Sequence, residues 1–175
     1  MSQQPESESQ ASLAAYQQAL TEANRHIERL NALRRLVTRR DDTVDPIDAL
    51  LALAAQTLHM EVAVLGDFTE VYTARYVYGE IGLIEVGATV PVTDTVCQRV
   101  QQSKAPIVIE DLAREPQLAD SVLVSERKIR SYIGLPVWEG GGVRHVLALF
   151  SRQPLAAPLG EADLAFLGSF EFRVG

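Results

Sequence analysis

The chain has 175 residues, a formal net charge of -7 and a hydrophobic fraction of 47%. That length suits one domain with an accessory segment, and a core of this size stands without disulfides. The acidic balance argues against a phosphate-backbone binder, and the single cysteine, Cys97, excludes an internal disulfide and a multi-cysteine zinc site. Residues 1–11 are polar and acidic, with neither the basic region nor the apolar core of a secretory signal, and are expected to form a disordered tail. From Ser12 to about Arg40 the chain contains no Gly or Pro, and Leu13, Tyr16, Leu20, Ala23, Ile27 and Leu30 recur at alternating steps of three and four. This heptad-like seam predicts an amphipathic dimerisation helix over 12–40 that pairs with a second copy. Arg25, Arg29, Arg34, Arg35, Arg39 and Arg40 share that helix with acidic neighbours and read as a solvated face rather than a nucleic-acid contact.

Residues 41–175 form the globular part. Asp45-Pro46-Ile47-Asp48 is a helix start: Asp45 caps, Pro46 suits the first helical position and Asp48 favours the positive helix end. Ile47, Leu50, Leu51, Ala54 and Leu58 then form one core-facing stripe. Val62-Ala63-Val64-Leu65 reads as a buried strand. Val71–Tyr78 alternates, which places Tyr72, Ala74, Tyr76 and Tyr78 on one face. Ile81–Val86 is expected to add a short strand.

The next two segments are PVTDTVCQRVQQSKAPIVIED, from Pro91 to Asp111, and IRSYIGLPV, from Ile129 to Val137. Thr93 or Asp94 can cap a short helix with Val96, Cys97 and Val100 inward. Ala105-Pro106 breaks it, and Ile107-Val108-Ile109 is a β-branched strand ending at Glu110-Asp111. Ser121 to about Lys128 can form a short helix within the connection from Leu112 to Arg130. A strand starts at Tyr132. Gly140-Gly141-Gly142 is a hairpin tip, Val146–Phe150 is the last strand, and a final helix from Gly160 turns Leu164, Leu167 and Phe170 inward.

This order of elements resembles the GAF domain family, the small-molecule sensory modules of signalling proteins. The resemblance rests on Asp94 and Cys97 in the short helix, Pro106 to Asp111 as a strand with an acidic end, Arg130 with Tyr132, Gly134 and Pro136 opening the next strand, and Val146–Phe150 followed by Arg152 and Pro154. It implies an α+β fold: a central antiparallel sheet with helices on both faces, preceded by the long N-terminal helix. It also implies a non-catalytic sensor that binds a small molecule and dimerises through its terminal helices. A cytoplasmic location is expected, with no cofactor, no nucleic acid and no membrane insertion. An output domain such as a histidine kinase or diguanylate cyclase would be covalently joined. The pocket of the family lies under the short helix and the connection. Here Tyr76, Tyr78, Thr95, Val96, Cys97, Asp111, Leu118, Val122, Ile129, Arg130 and Tyr132 are expected to line it. Arg130 can pair with a ligand anion or with Asp111.

Two other readings stand beside this one: a ligand-free dimerisation spacer, and a haem, bilin or redox protein of the same fold. Cys97 reads as a buried small hydrophobe, because Gln98 stands where bilin-binding relatives usually have His and no second cysteine is present for a reductase disulfide. His145 reads as an exposed strand residue, and the three histidines are too far apart in sequence to form a short metal-ligand motif.

Overall fold

A computed structural model describes residues 11–24, 27–28, 31, 45–79, 82, 84–91, 96–118, 120–168 and 173–174. Residues 11–24 are helical, here α1, and Leu13, Tyr16 and Leu20 on it are exposed, as is Ile27 beyond it. Leu30 of the predicted seam, most of the 1–11 tail, and Thr93, Asp94, Thr95 and Phe170 lie outside the described residues.

Helix α2, Pro46–Thr57, begins as its sequence dictates. The Asp45 carboxylate accepts from the Ile47 N–H at 2.8 Å, a cap of about 1 kcal/mol. Leu51, Ala54 and Leu58 are buried along its inner face. His59 takes a left-handed φ of 54° immediately after it, turning the chain into the sheet.

The strands are β1 Val62–Phe68, β2 Val71–Tyr78, β3 Thr89–Pro91, β4 Ile107–Ile109, β5 Ser131–Glu139, β6 Gly142–Ser151 and β7 Arg173–Val174. They form one sheet in the order β3-β2-β1-β6-β5-β4, antiparallel throughout, with β7 added in parallel beside the end of β5. The third strand thus lies later than Ile81–Val86. Within that span, Glu85 accepts from the Ala88 N–H at 3.0 Å in a turn, which leaves Thr89–Pro91 to pair with Val71–Thr73. At the β5–β6 hairpin, Gly140 and Gly141 have φ of 57° and 83°, which a side chain would strain.

Two apolar layers cover the sheet. On one face α2 and α5, Glu161–Gly168, enclose Leu51, Ala55, Ala63, Ile133, Leu149 and Phe166. In α5, Phe166 and Leu167 point inward while Leu164 is exposed, a correction to the expected stripe. On the other face lie α3, Cys97–Ser103, a 3-10 turn at Leu112–Arg114, and α4, Val122–Ser125. Helix α3 ends at Lys104, left-handed at φ 56°, whose N–H donates to the Val100 carbonyl at 2.9 Å.

Candidate functional site

The sheet face under α3 gathers Val96, Cys97, Val100, Leu112, Ile129 and Tyr132 around Val64, Tyr72 and Phe150. Three groups that carry chemistry meet in this layer, from three distant parts of the chain. Tyr132 Oη donates to Cys97 Sγ at 3.3 Å. Tyr72, on β2, turns its hydroxyl toward the same thiol, a weak acceptor, and makes no well-formed hydrogen bond among the described residues. Burial raises the thiol to about 11, against the hydrogen bond from Tyr132 and the weaker approach of the Tyr72 hydroxyl. Burial first, then the neighbouring thiol, pushes both phenols well above their usual range. All three groups are neutral at physiological pH.

Two glycines seat the tyrosine rings. A Cβ on Gly66 would stand 2.2 Å from Tyr72 Cζ, and one on Gly134 would stand 2.3 Å from Tyr132 Oη. Both glycines lie inside strands, where a missing side chain marks the close approach of another group. Edge contacts with Phe68 and Phe150, at ring distances of 5.3 and 5.4 Å, complete the packing.

The connection over this face is clasped at its two ends. Arg130 Nε and Nη2 donate to Asp111 Oδ1 and Oδ2 at 2.8 and 2.7 Å, and the Leu112 N–H donates to the Arg130 carbonyl at 2.6 Å. The Arg130 guanidinium, with help from the Ala113 N–H, holds the Asp111 carboxyl below its ordinary range. Of the two partners expected for Arg130, the fold supplies Asp111. Within the connection, Leu118, Leu123 and Val124 pack on the core, and Ser121 Oγ is a second buried oxygen with no partner among the described residues. Val122 points outward, 55% exposed, so the structure does not bring it to the site.

Tyr76 and Tyr78 also leave the set. Leu65 pairs with Tyr76 and Gly66 with Ala74, so Arg75 is an extra residue that bulges β2. A one-residue insertion reverses every later side chain. Tyr72 and Ala74 therefore face α3, whereas Tyr76 and Tyr78 pack on the α2 layer, where Gln56 Nε2 donates to Tyr78 Oη at 3.1 Å. The chain thus joins Tyr72, not Tyr76, to Cys97 and Tyr132. Gly66 in mid-strand was the sequence signal for that approach.

On the α2 face, an apolar groove of about 310 Å³ runs between Ile47, Leu50 and Leu65, Leu147. Its lip carries Asp67, which pairs with Arg75 and, at 2.7 Å, with His145 Nδ1; His145 Nε2 stands 3.3 Å from Glu139. Burial works to raise the Asp67 carboxyl, but the Arg75 and His145 contacts outweigh it and lower it. His145 is thus a half-buried cross-strand partner rather than the exposed residue its sequence position implied. Among the described residues, no group of three or more His, Cys, Asp or Glu is placed to hold a metal ion. No described helix is long and apolar enough to cross a membrane.

The sequence profile of the GAF domain matches residues 42–174. The chain belongs to the GAF domain family. Solved GAF domains share its fold. That of an Acinetobacter phosphoenolpyruvate-protein phosphotransferase superposes with a TM-score of 0.64 at 22% identity, over 80% of this chain and 86% of the other. The GAF domain of a Bacillus halodurans two-component sensor histidine kinase gives 0.58 at 16%, over 75% and 90%. The free methionine-R-sulfoxide reductase of Neisseria meningitidis, solved with its substrate, gives 0.62 at 17%, over 82% and 84%. A comparison with curated proteins finds no match. GAF domains occur in sensors and signalling proteins, and their general role is regulatory.

Proposed function

We propose that this GAF domain is a non-catalytic sensory module that binds a small molecule on the α3 face and dimerises through its terminal helices. One observation carries the sensing half. Two buried hydroxyls, Tyr72 Oη in the α3 layer and Ser121 Oγ at the start of α4, make no well-formed hydrogen bond among the described residues, and Tyr72 has only the weakly accepting Cys97 thiol beside it. Buried polar groups are nearly always satisfied, so a face with two orphans is one that a ligand completes. The clasped connection is the element a ligand would reorder, by no more than its difference in affinity for the two arrangements.

A catalytic role has less support. A reductase cycle through a disulfide needs a second thiol, and Cys97 stands alone in the sequence with its thiol raised to about 11. A ligand-free spacer is the second reading, favoured by how completely Val96, Val100, Leu112 and Ile129 fill the layer. Native mass spectrometry of the purified chain, with thermal-shift screening of metabolites, separates the two. A retained mass or a stabilising compound supports sensing, and the lack of both supports the spacer. For the helix, the exposed seam of Leu13, Tyr16 and Leu20 supports pairing with a second copy. Leu20→Asp is expected to shift sedimentation equilibrium toward monomer, and an unchanged dimer would remove that helix from the interface.

A further inference from the structure

Residues 112–129 lie over the α3 face without being woven into the sheet. Among the described residues, every backbone hydrogen bond they make closes between Asp111 and Arg130. The Leu112 N–H reaches the Arg130 carbonyl at 2.6 Å, the Ser121 N–H reaches the Leu118 carbonyl at 3.0 Å, and the Ile129 N–H reaches the Leu123 carbonyl at 2.9 Å. The first backbone bond to the sheet comes from Arg130 itself, to the Ser151 carbonyl at 2.8 Å. Among the described residues one side-chain bond leaves the segment, from Arg127 Nη1 to the Gly82 carbonyl, and at 3.5 Å it is long. What holds the segment down is apolar: Leu112 and Ile129 are buried, and Leu118, Leu123 and Val124 are partly so.

The closed segment also carries two costs. Ser121 Oγ is buried with no partner among the described residues, and water would satisfy it on opening. Lys128 holds a left-handed φ of 59°, uncommon for a residue with a side chain, at the end of the segment. Its ordered pieces, a three-residue 3-10 turn and the four-residue α4, are too short to persist off the sheet. A segment bonded to itself, strained near one end and anchored by apolar side chains alone belongs to the low end of the stability range and opens cooperatively. The bidentate Asp111–Arg130 pair, at 2.8 and 2.7 Å, closes its base. We infer that residues 112–129 are a strap that opens by local unfolding as one unit, latched by the Asp111–Arg130 pair, and that its opening uncovers Cys97 and Tyr132. The layer beneath α3 is filled while the strap is closed, so a molecule enters it through the open state. The opening needs no ligand, but its use as the way in rests on the sensing role proposed above. A ligand of the open state binds more weakly than its contacts alone allow, in proportion to the open fraction.

Hydrogen exchange of the full chain, read by mass spectrometry, tests this in Asp111→Asn and Arg130→Gln. Asparagine keeps an oxygen for the Ala113 N–H, and glutamine keeps the backbone bond to Ser151, so each removes the ion pair and little else. Both are expected to speed the amides of 112–118 and 121–129 together by about three- to tenfold, the range of a bidentate pair that is part exposed, and to leave β1, β5 and β6 unchanged. Ellman's reagent is expected to label Cys97 faster by the same factor. The double variant is expected to open no further than either single one, because both remove the same contact. The inference is overturned if the strap amides do not change, if its two halves change by different factors, or if the sheet amides speed equally, which would make the pair a support of the whole fold. Faster strap amides with unchanged Cys97 labelling overturn the strap as the way in. Each of these results leaves the sensing role to native mass spectrometry and thermal shift, which test it separately.

Discussion

Replacing Tyr72 with Phe is expected to stabilise the ligand-free protein, against the usual direction of core substitutions. The variant loses one oxygen and no well-formed hydrogen bond, because among the described residues the Tyr72 hydroxyl has only the weakly accepting Cys97 thiol beside it. The ring keeps its edge contact with Phe68 at 5.3 Å and its seat over Gly66. A buried hydroxyl left unmade costs about 1–3 kcal/mol, so Tyr72→Phe should gain that amount. For a chain of this size each kcal/mol moves the melting temperature by roughly 2–4 °C. Tyr132→Phe supplies the contrast, since it removes the donor to Cys97 at 3.3 Å and should lose about 0.5–1.5 kcal/mol. Urea unfolding reads both, with Trp138 as a fluorescence probe because it packs on this same layer. The slope with denaturant should stay constant while the midpoints move in opposite directions. If Tyr72→Phe destabilises by more than about 1 kcal/mol, the hydroxyl is satisfied in solution and the reasoning about this face is refuted.

Gly134→Ala should destabilise by about 1–3 kcal/mol in the same assay, because the new Cβ would stand 2.3 Å from Tyr132 Oη and 2.6 Å from Val100 Cγ2; a neutral outcome would mean that the ring has room to move. Asp111 is lowered in the folded state, so its contribution is complete above the unfolded value near about 4 and is lost as pH falls through the folded value. Asp111→Asn should therefore flatten stability against pH below about pH 4, which chemical unfolding at stepped pH measures. A thiol raised to about 11 is only about one part in ten thousand ionised at pH 7, against a few per cent for a free cysteine. Ellman's reagent should accordingly label Cys97 at least about a hundredfold more slowly in the folded chain than in urea, and equal rates would contradict its burial.

Most of the elements and their order were legible in the residues, though β3 was expected at Ile81–Val86 and β7 was not expected at all. Asp45 and Pro46 announce α2, the β-branched run Ile107–Ile109 is β4, and the glycines at 140–142 are the hairpin tip, because caps, breakers and turn glycines act within a few residues of themselves. The family was legible for the same reason, in the spacing of Cys97, Pro106, Asp111, Tyr132 and Gly134. Which face each side chain takes was not. Strict alternation placed Tyr76 and Tyr78 with Tyr72, yet one inserted residue at Arg75 sends them to the opposite layer, and a bulge is decided by pairing with another strand. The site itself needed the tertiary fold. Tyr72, Cys97 and Tyr132 come from β2, α3 and β5 and meet only when the sheet closes. Whether Arg130 remains open to an anion or closes on Asp111 depends on a contact spanning nineteen residues. Local chemistry fixes elements within the range of a hydrogen bond along the chain, whereas the partner of a buried hydroxyl is chosen by packing across it.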